Sequence, residues 1–128
     1  MSYTITRLIE GAAFADVDAR TRAALAAKGF GVLTEIDVQA TMKKKLDADM
    51  PAYRILGACN PKMAHGALSV EDKIGVMLPC NVIVQQTDAG VEVAAVDPVA
   101  SLGRVGNPAL DEAAKSVKAA LTRVVDGL

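Results

Sequence analysis

The chain contains no tryptophan, a single histidine and two cysteines, and aromatic residues make up only 3% of it. Each shortage excludes something. So few flat rings leave little on which nucleic-acid bases could stack. Fourteen lysines and arginines against 15 aspartates and glutamates give a formal charge of −1, so no basic surplus exists to neutralise phosphates. No apolar run approaches the roughly 20 residues needed to span a bilayer. The opening "MSYTITRLIEG" lacks the charged, apolar and small-residue succession of a secretory leader, so a cytoplasmic location is expected. Two cysteines do not make a disulfide framework, and a reducing cytosol keeps both as thiols.

What is present describes a folded domain. The 128 residues, 52% hydrophobic and 23% charged, fit one domain spanning 1–128 with a real core. Residues 2 to 10 alternate and read as a strand ended by Gly11. Phe14, Val17, Thr21, Ala24, Leu25 and Lys28 recur at helical spacing, and Gly29 stands where a left-handed C-terminal residue is expected. "FGVLTEIDV" reads as a strand, and "QATMKKKLDADM" as a short helix with Met42 and Leu46 inward and its lysines in solvent. "AYRILGACN" is a third strand, and Pro61 opens a helix through "KMAHGALSVE". "KIGVMLPCNVIVQQTD" reads as β structure interrupted at Pro79, turning at Asp88-Ala89-Gly90 into "VEVAAV". "ASLGRVG" reads as a loop. Asn107 and Pro108 then start a final helix whose Leu110, Ala114, Val117, Leu121 and Val124 form one apolar face.

This order predicts an α+β fold, a largely antiparallel β-sheet with helices packed on one face. The strands "VMLPCNVIV" and "VEVAAV" carry too many apolar positions for an open face, so a homodimer through the other sheet surface is expected.

The motif search begins with exclusions. There is no glycine-rich phosphate loop and no serine in an elbow context. Asp16, Asp18, Asp111 and Glu112 are expected on solvated faces or at helix starts, and Asp97 is expected to cap a turn. No general base or paired acid emerges, so no catalytic residue is assigned.

The reactive residue types concentrate in "ILGACNPKMAHGAL", which holds Cys59, Asn60, Met63 and His65; "LPCNV" adds Cys80 and Asn81. Cysteine is also a small buried hydrophobe, so core packing is the plain alternative for both. As a site, Cys59 would precede a helix start, where the dipole lowers a thiol pKa. One histidine with two cysteines is short of a structural zinc site. Haem asks for only one or two axial side chains in an apolar pocket. The leading expectation is therefore haem b with His65 as the metal ligand, and Met63, Cys59, Asn60, Cys80 and Asn81 around it. A small molecule or a diatomic gas is a possible further ligand, and nucleic acid and membrane are not expected partners. The alternatives are a thiol-based redox or sulfur-transfer protein using Cys59 and Cys80, and a cofactor-free ligand-binding or assembly module.

"YRILGACNPKMAHGAL", "IGVMLPCNVIVQ" and "VEVAAVDP" together resemble the domain-of-unknown-function 302 family, from about Gly31 to the final helix. The residues matching its motifs are Cys59, Asn60, Pro61, Pro79, Cys80, Asn81, Asp97 and Pro98. The resemblance implies a TATA-binding-protein-like fold, often dimeric. It further implies a ligand- or cofactor-binding role, with haem binding and sulfur or redox metabolism proposed for some members.

Overall fold

The computed structural model describes residues 2–128 and contains five strands and five α-helices. In chain order the elements are β1 (Thr4–Ile9), α1 (Phe14–Ala27), β2 (Gly31–Asp37), α2 (Val38–Leu46), β3 (Tyr53–Cys59) and α3 (Pro61–Val70). They continue with β4 (Cys80–Gln86), β5 (Val91–Val96), α4 (Pro98–Gly103) and α5 (Asp111–Asp126). The strands form one sheet in the order β1-β5-β4-β3-β2, antiparallel at every step. The expected α+β architecture holds.

The core lies between α1, α5 and one face of this sheet. Val17, Thr21 and Leu25 recur every four residues along α1 and are fully buried. The Thr21 hydroxyl donates to the Val17 carbonyl at 2.7 Å, which satisfies the one polar atom on that stripe. Gly29, at φ +83°, ends the helix in the left-handed conformation. From α5, Val117, Leu121, Val124 and Val125 meet Leu56, Val82, Val84 and Val93 of the sheet. A satellite cluster of Ala67, Ile74, Leu102, Leu110 and Ala114 ties α3 and α4 to the start of α5.

Several local expectations are corrected. Residues 74–78 are not a strand: Asp72–Met77 forms a 3-10 turn held by i→i+3 bonds such as Ile74 N–H to Glu71 at 3.1 Å. Only Ile74 of that apolar run is buried, and Val76 is 86% exposed. With those residues out of the sheet, the outward positions of β4 are Asn81, Ile83 and Gln85. Gln85 donates to Glu92 at 2.9 Å on that face. The outer surface is therefore mixed rather than continuously apolar, and the count that motivated a covering second copy shrinks. "ASLGRVG" contributes to α4 rather than to a loop, because the Asp97 carboxylate accepts from the Val99 and Ala100 amides at 2.9 and 3.4 Å and caps it. Leu46 is 70% exposed rather than inward, since α2 buries no residue.

Asp18 is also corrected, from solvated to buried. It accepts from Arg22 at 3.0 Å and from Arg54 at 3.2 Å, and Arg22 reaches Glu35 at 3.0 Å. The Arg54 guanidinium lies 5.6 Å from the centre of the Phe14 ring. These ties fix α1 against β2 and β3. Among the described residues, no helix is long and apolar enough to cross a membrane.

Two contacts set the geometry of the sheet end that matters below. Gly57 has no side chain because Thr34 and Pro79 occupy the space: a Cβ there would overlap the Thr34 hydroxyl and lie 2.8 Å from Pro79 Cγ. Gly57→Ala is expected to cost about 1–3 kcal/mol by overpacking, measured by urea unfolding. Adding Thr34→Ala should return part of that loss, because the two substitutions share one contact. The second contact is Asp97 with Lys118 of α5, at 2.9 Å. Burial alone would raise the Asp97 pKa, but the hydrogen bonds from Lys118, Ala100 and Val99 outweigh it and hold the carboxyl below its ordinary value. A depressed carboxylate stabilises the fold fully above its unfolded pKa, and that stability is lost as pH falls through the lower native value. Asp97→Asn keeps a capping oxygen and removes the charge. It should lower stability at neutral pH by about 1–3 kcal/mol and flatten the acid limb of the urea midpoint against pH.

Candidate functional site

The β3–β4 ladder ends with Ala58 opposite Cys80, so Cys59 is one residue diagonal from Cys80 although 21 positions separate them in sequence. The chain must then leave β3 and enter a helix. Asn60 makes that turn, its side-chain oxygen accepting from the Met63 amide at 3.2 Å, and Pro61 supplies the first helical residue. The predicted helix start beside Cys59 is therefore correct. Pro79 marks the other strand end, after a cis peptide bond from Leu78.

These turns enclose an apolar pocket of about 40 Å³ between the sheet end, α3, α4 and α5. Cys59, Asn60, Met63, Pro79 and Cys80 line it from the two Cys-Asn segments. Phe30, Ala58, Ala64, Ala67 and Leu78 fill in around them, and Pro98, Leu102, Ala113 and Val117 close it from α4 and α5. The Val-Asp-Pro segment thus reaches the same place: Asp97 caps α4, and Pro98 lines the pocket. Asn60 is the lining residue with a polar uncharged side chain, and the two thiols are the only titratable lining groups.

Both cysteines are free thiols, each partly buried. Burial, reinforced by the neighbouring Cys59, pushes the Cys80 thiol above its ordinary pKa, so Cys80 carries its proton at neutral pH. Cys59 stands two residues before the first residue of α3. Strand alternation turns Cys80 to the core side with Ala58 and turns Cys59 the other way. A disulfide needs converging Cβ vectors, so these two neighbours are not set for one without movement of the strand ends.

The remaining expected site residues divide. Met63 joins the cysteines in the pocket. Asn81 is exposed on the outer face of β4 and does not line it. His65 is exposed on the outer side of α3, and its carbonyl accepts from Ser69 at 2.8 Å. It is not among the pocket's lining residues. A haem held by His65 does not fit this site. A volume of about 40 Å³ admits a few water-sized atoms, far below the roughly 300 Å³ or more of pockets that enclose large ligands.

Sequence reasoning missed the rear wall. Phe30, Leu102, Ala113 and Val117 are ordinary apolar residues whose role comes only from tertiary contact. It also missed the Asp18–Arg22 pair, although their i, i+4 spacing on α1 was a readable signal.

Comparison with known proteins gives three findings. Residues 5–128 match the family model described as "Domain of unknown function DUF302". No curated protein matches the chain. The crystal structure of an uncharacterized conserved protein DUF302 from Bacillus stearothermophilus is similar to this fold with a TM-score of 0.91, at 26% identity over 98% of each chain. The family match begins well before Gly31 and takes in β1 and α1, so it covers the whole core rather than the motif region alone. With its three motif segments converging on one pocket and residues 5–128 matched, the chain belongs to the DUF302 family.

Proposed function

We propose that this protein is a thiol-based protein of the sulfur-transfer kind, with Cys59 as its reactive group and the apolar pocket as its binding site. One observation carries the reading: two distant Cys-Asn segments meet at a single pocket that contains no other reactive side chain. Cys59 is the thiol beside the helix start at Asn60, while burial raises the Cys80 pKa and keeps its proton on. The substrate class is a sulfane sulfur donor, a molecule with a sulfur–sulfur bond. The Cys59 thiolate attacks the outer sulfur, the donor's sulfur–sulfur bond breaks, and the leaving sulfur departs with the electron pair. Cys59 becomes a persulfide, and a thiol acceptor later removes the added sulfur and restores the thiolate. A pocket of about 40 Å³ has room for an atom of that size and little water to hydrolyse the adduct. The strand-end geometry favours this single-thiol chemistry over a Cys59–Cys80 dithiol cycle.

The test is residue-resolved labelling of the native, reduced protein. Iodoacetamide should modify Cys59 at least about 10-fold faster than Cys80 at neutral pH. Incubation with inorganic polysulfide should add one sulfur to Cys59 by peptide mass spectrometry, and Cys59→Ser should abolish it. Equal, slow alkylation of both thiols with no added sulfur would remove the proposal.

A further inference from the structure

The sheet face turned away from α1 and α5 carries an ordered pattern of its own. The register sets Ile36 beside Ile55, Ile55 beside Ile83, Ile83 beside Ala94 and Ala94 beside Thr6. One straight row of outward side chains therefore crosses all five strands. Its three isoleucines belong to neither hydrophobic cluster of the core. Leu8 and Ile36, on the two edge strands, are 39% and 48% exposed, so the face is open from side to side. The rows above and below hold polar residues such as Thr34, Asn81 and Gln85, and among the described residues Glu92 is the one outward acid. We propose that this face is the contact between two copies of the chain, related by a two-fold axis that runs along β4.

The row is complementary to itself in that arrangement and in no other simple one. β4 is the middle strand of the order β1-β5-β4-β3-β2. Rotation about an axis along it keeps each residue's height on the strands and exchanges the two sides of the sheet. Ile83 then meets Ile83 on the axis, Ile55 of one copy lies over Ala94 of the other, and Ile36 lies over Thr6. Large meets small at each step off the axis, as two sheets packed about 10 Å apart require. An axis across the strands would instead set Ile55 on Ile55 and Ala94 on Ala94, a clash beside a gap. The flanking rows agree with the first arrangement. Gly57, which has no side chain, comes opposite Val96, which stands level with Asn81 because Ala95 pairs with Val82. Glu92 comes opposite Tyr53, whose hydroxyl can donate to the carboxylate. The two Glu92 carboxylates fall on opposite sides of the axis, about 14 Å apart, beyond the roughly 8 Å reach of unscreened charge in physiological salt. A surface that matches its own reversal is what a contact between identical subunits needs. Its footprint is about 24 Å across the strands and about 20 Å along them. Two copies together cover about 1,000 Å² before side-chain relief is counted, the size at which a specific interface begins.

The dimer asks nothing of the thiols, so its test is independent of the sulfur-transfer reading. The reduced, full-length chain of 13.3 kDa is followed by sedimentation equilibrium, and the expected mass is twice that value. The concentrations run from about 1 to about 100 µM, the range of a modest interface. Ile83→Asp buries two carboxylates on the axis and should raise the dissociation constant at least about 100-fold. Because Ile83 lies outside the core clusters, far-UV circular dichroism should stay unchanged. Ala94→Ile should raise the constant about 10-fold by overpacking against Ile55 of the other copy. Adding Ile55→Ala to Ala94→Ile should return most of that loss. Positions 55 and 94 stand two strands apart within one chain and meet only across the interface, so the rescue reads the arrangement itself. A wild-type monomer throughout that range would overturn the proposal and leave the face to a different partner. A dimer that survives Ile83→Asp, tighter association in Ala94→Ile, or no rescue in the double variant would overturn it as well.

Discussion

The antiparallel register of β3 against β4 is the constraint on which the site depends. With Ala58 opposite Cys80, the ladder brings two Cys-Asn turns side by side at one end of the sheet. A slip of one residue by either strand would exchange that strand's inward and outward positions. Leu56 or Val82 would leave the core, and the pairing of Ala58 with Cys80 would be lost. The register is held by burial on the core face, where both of those residues have no exposed surface. On the other face it is held by the close approach of Thr34 and Pro79 over Gly57. The same steric fit that seats Pro79 therefore seats Cys80 beside it.

Around that sheet end the helices act as walls. The apolar stripe of α5 serves the main core through Leu121 and Val124, and through Val117 it also reaches the pocket. α4 is short, yet its cap at Asp97 is tied to α5 by Lys118, which holds Pro98 and Leu102 over the cavity. α3 is the least buried of the three, with Ala67 alone fully inside. Its two faces have separate roles. Met63, Ala64 and Ala67 line the pocket, while Pro61, His65 and Leu68 face solvent.

Much of this was legible in the residues. The alternation of β1, the periodicity of α1 and α5, the left-handed Gly29, and the Asn60-Pro61 and Asn107-Pro108 helix starts were all readable from local chemistry. The failures share a cause, which is tertiary context overriding local pattern. Val76 and Met77 look like strand, but a proline without an amide donor at 79 begins the ladder late, and the segment closes on itself in a 3-10 turn. Leu46 looks inward on α2, but that helix buries no residue. At the site, the two cysteines, Met63 and Asn60 were identifiable as a group. The displacement of His65 was not: a helix face becomes inside or outside only once its neighbours are placed. The position of His65 on α3, two residues beyond Met63, turns it by roughly 200° around the axis. That rotation separates a sulfur-lined pocket from the histidine-ligated haem site that the sequence suggested.

The central claim is that the β3–β4 register brings Cys59 and Cys80 to one pocket with their side chains turned apart. Diamide oxidation of the reduced protein, read by peptide mass spectrometry, tests it most directly. The account predicts a Cys59–Cys80 disulfide only after unfolding in urea, with the two cysteines unlinked in the native chain. Rapid formation of that disulfide in the native protein would contradict it.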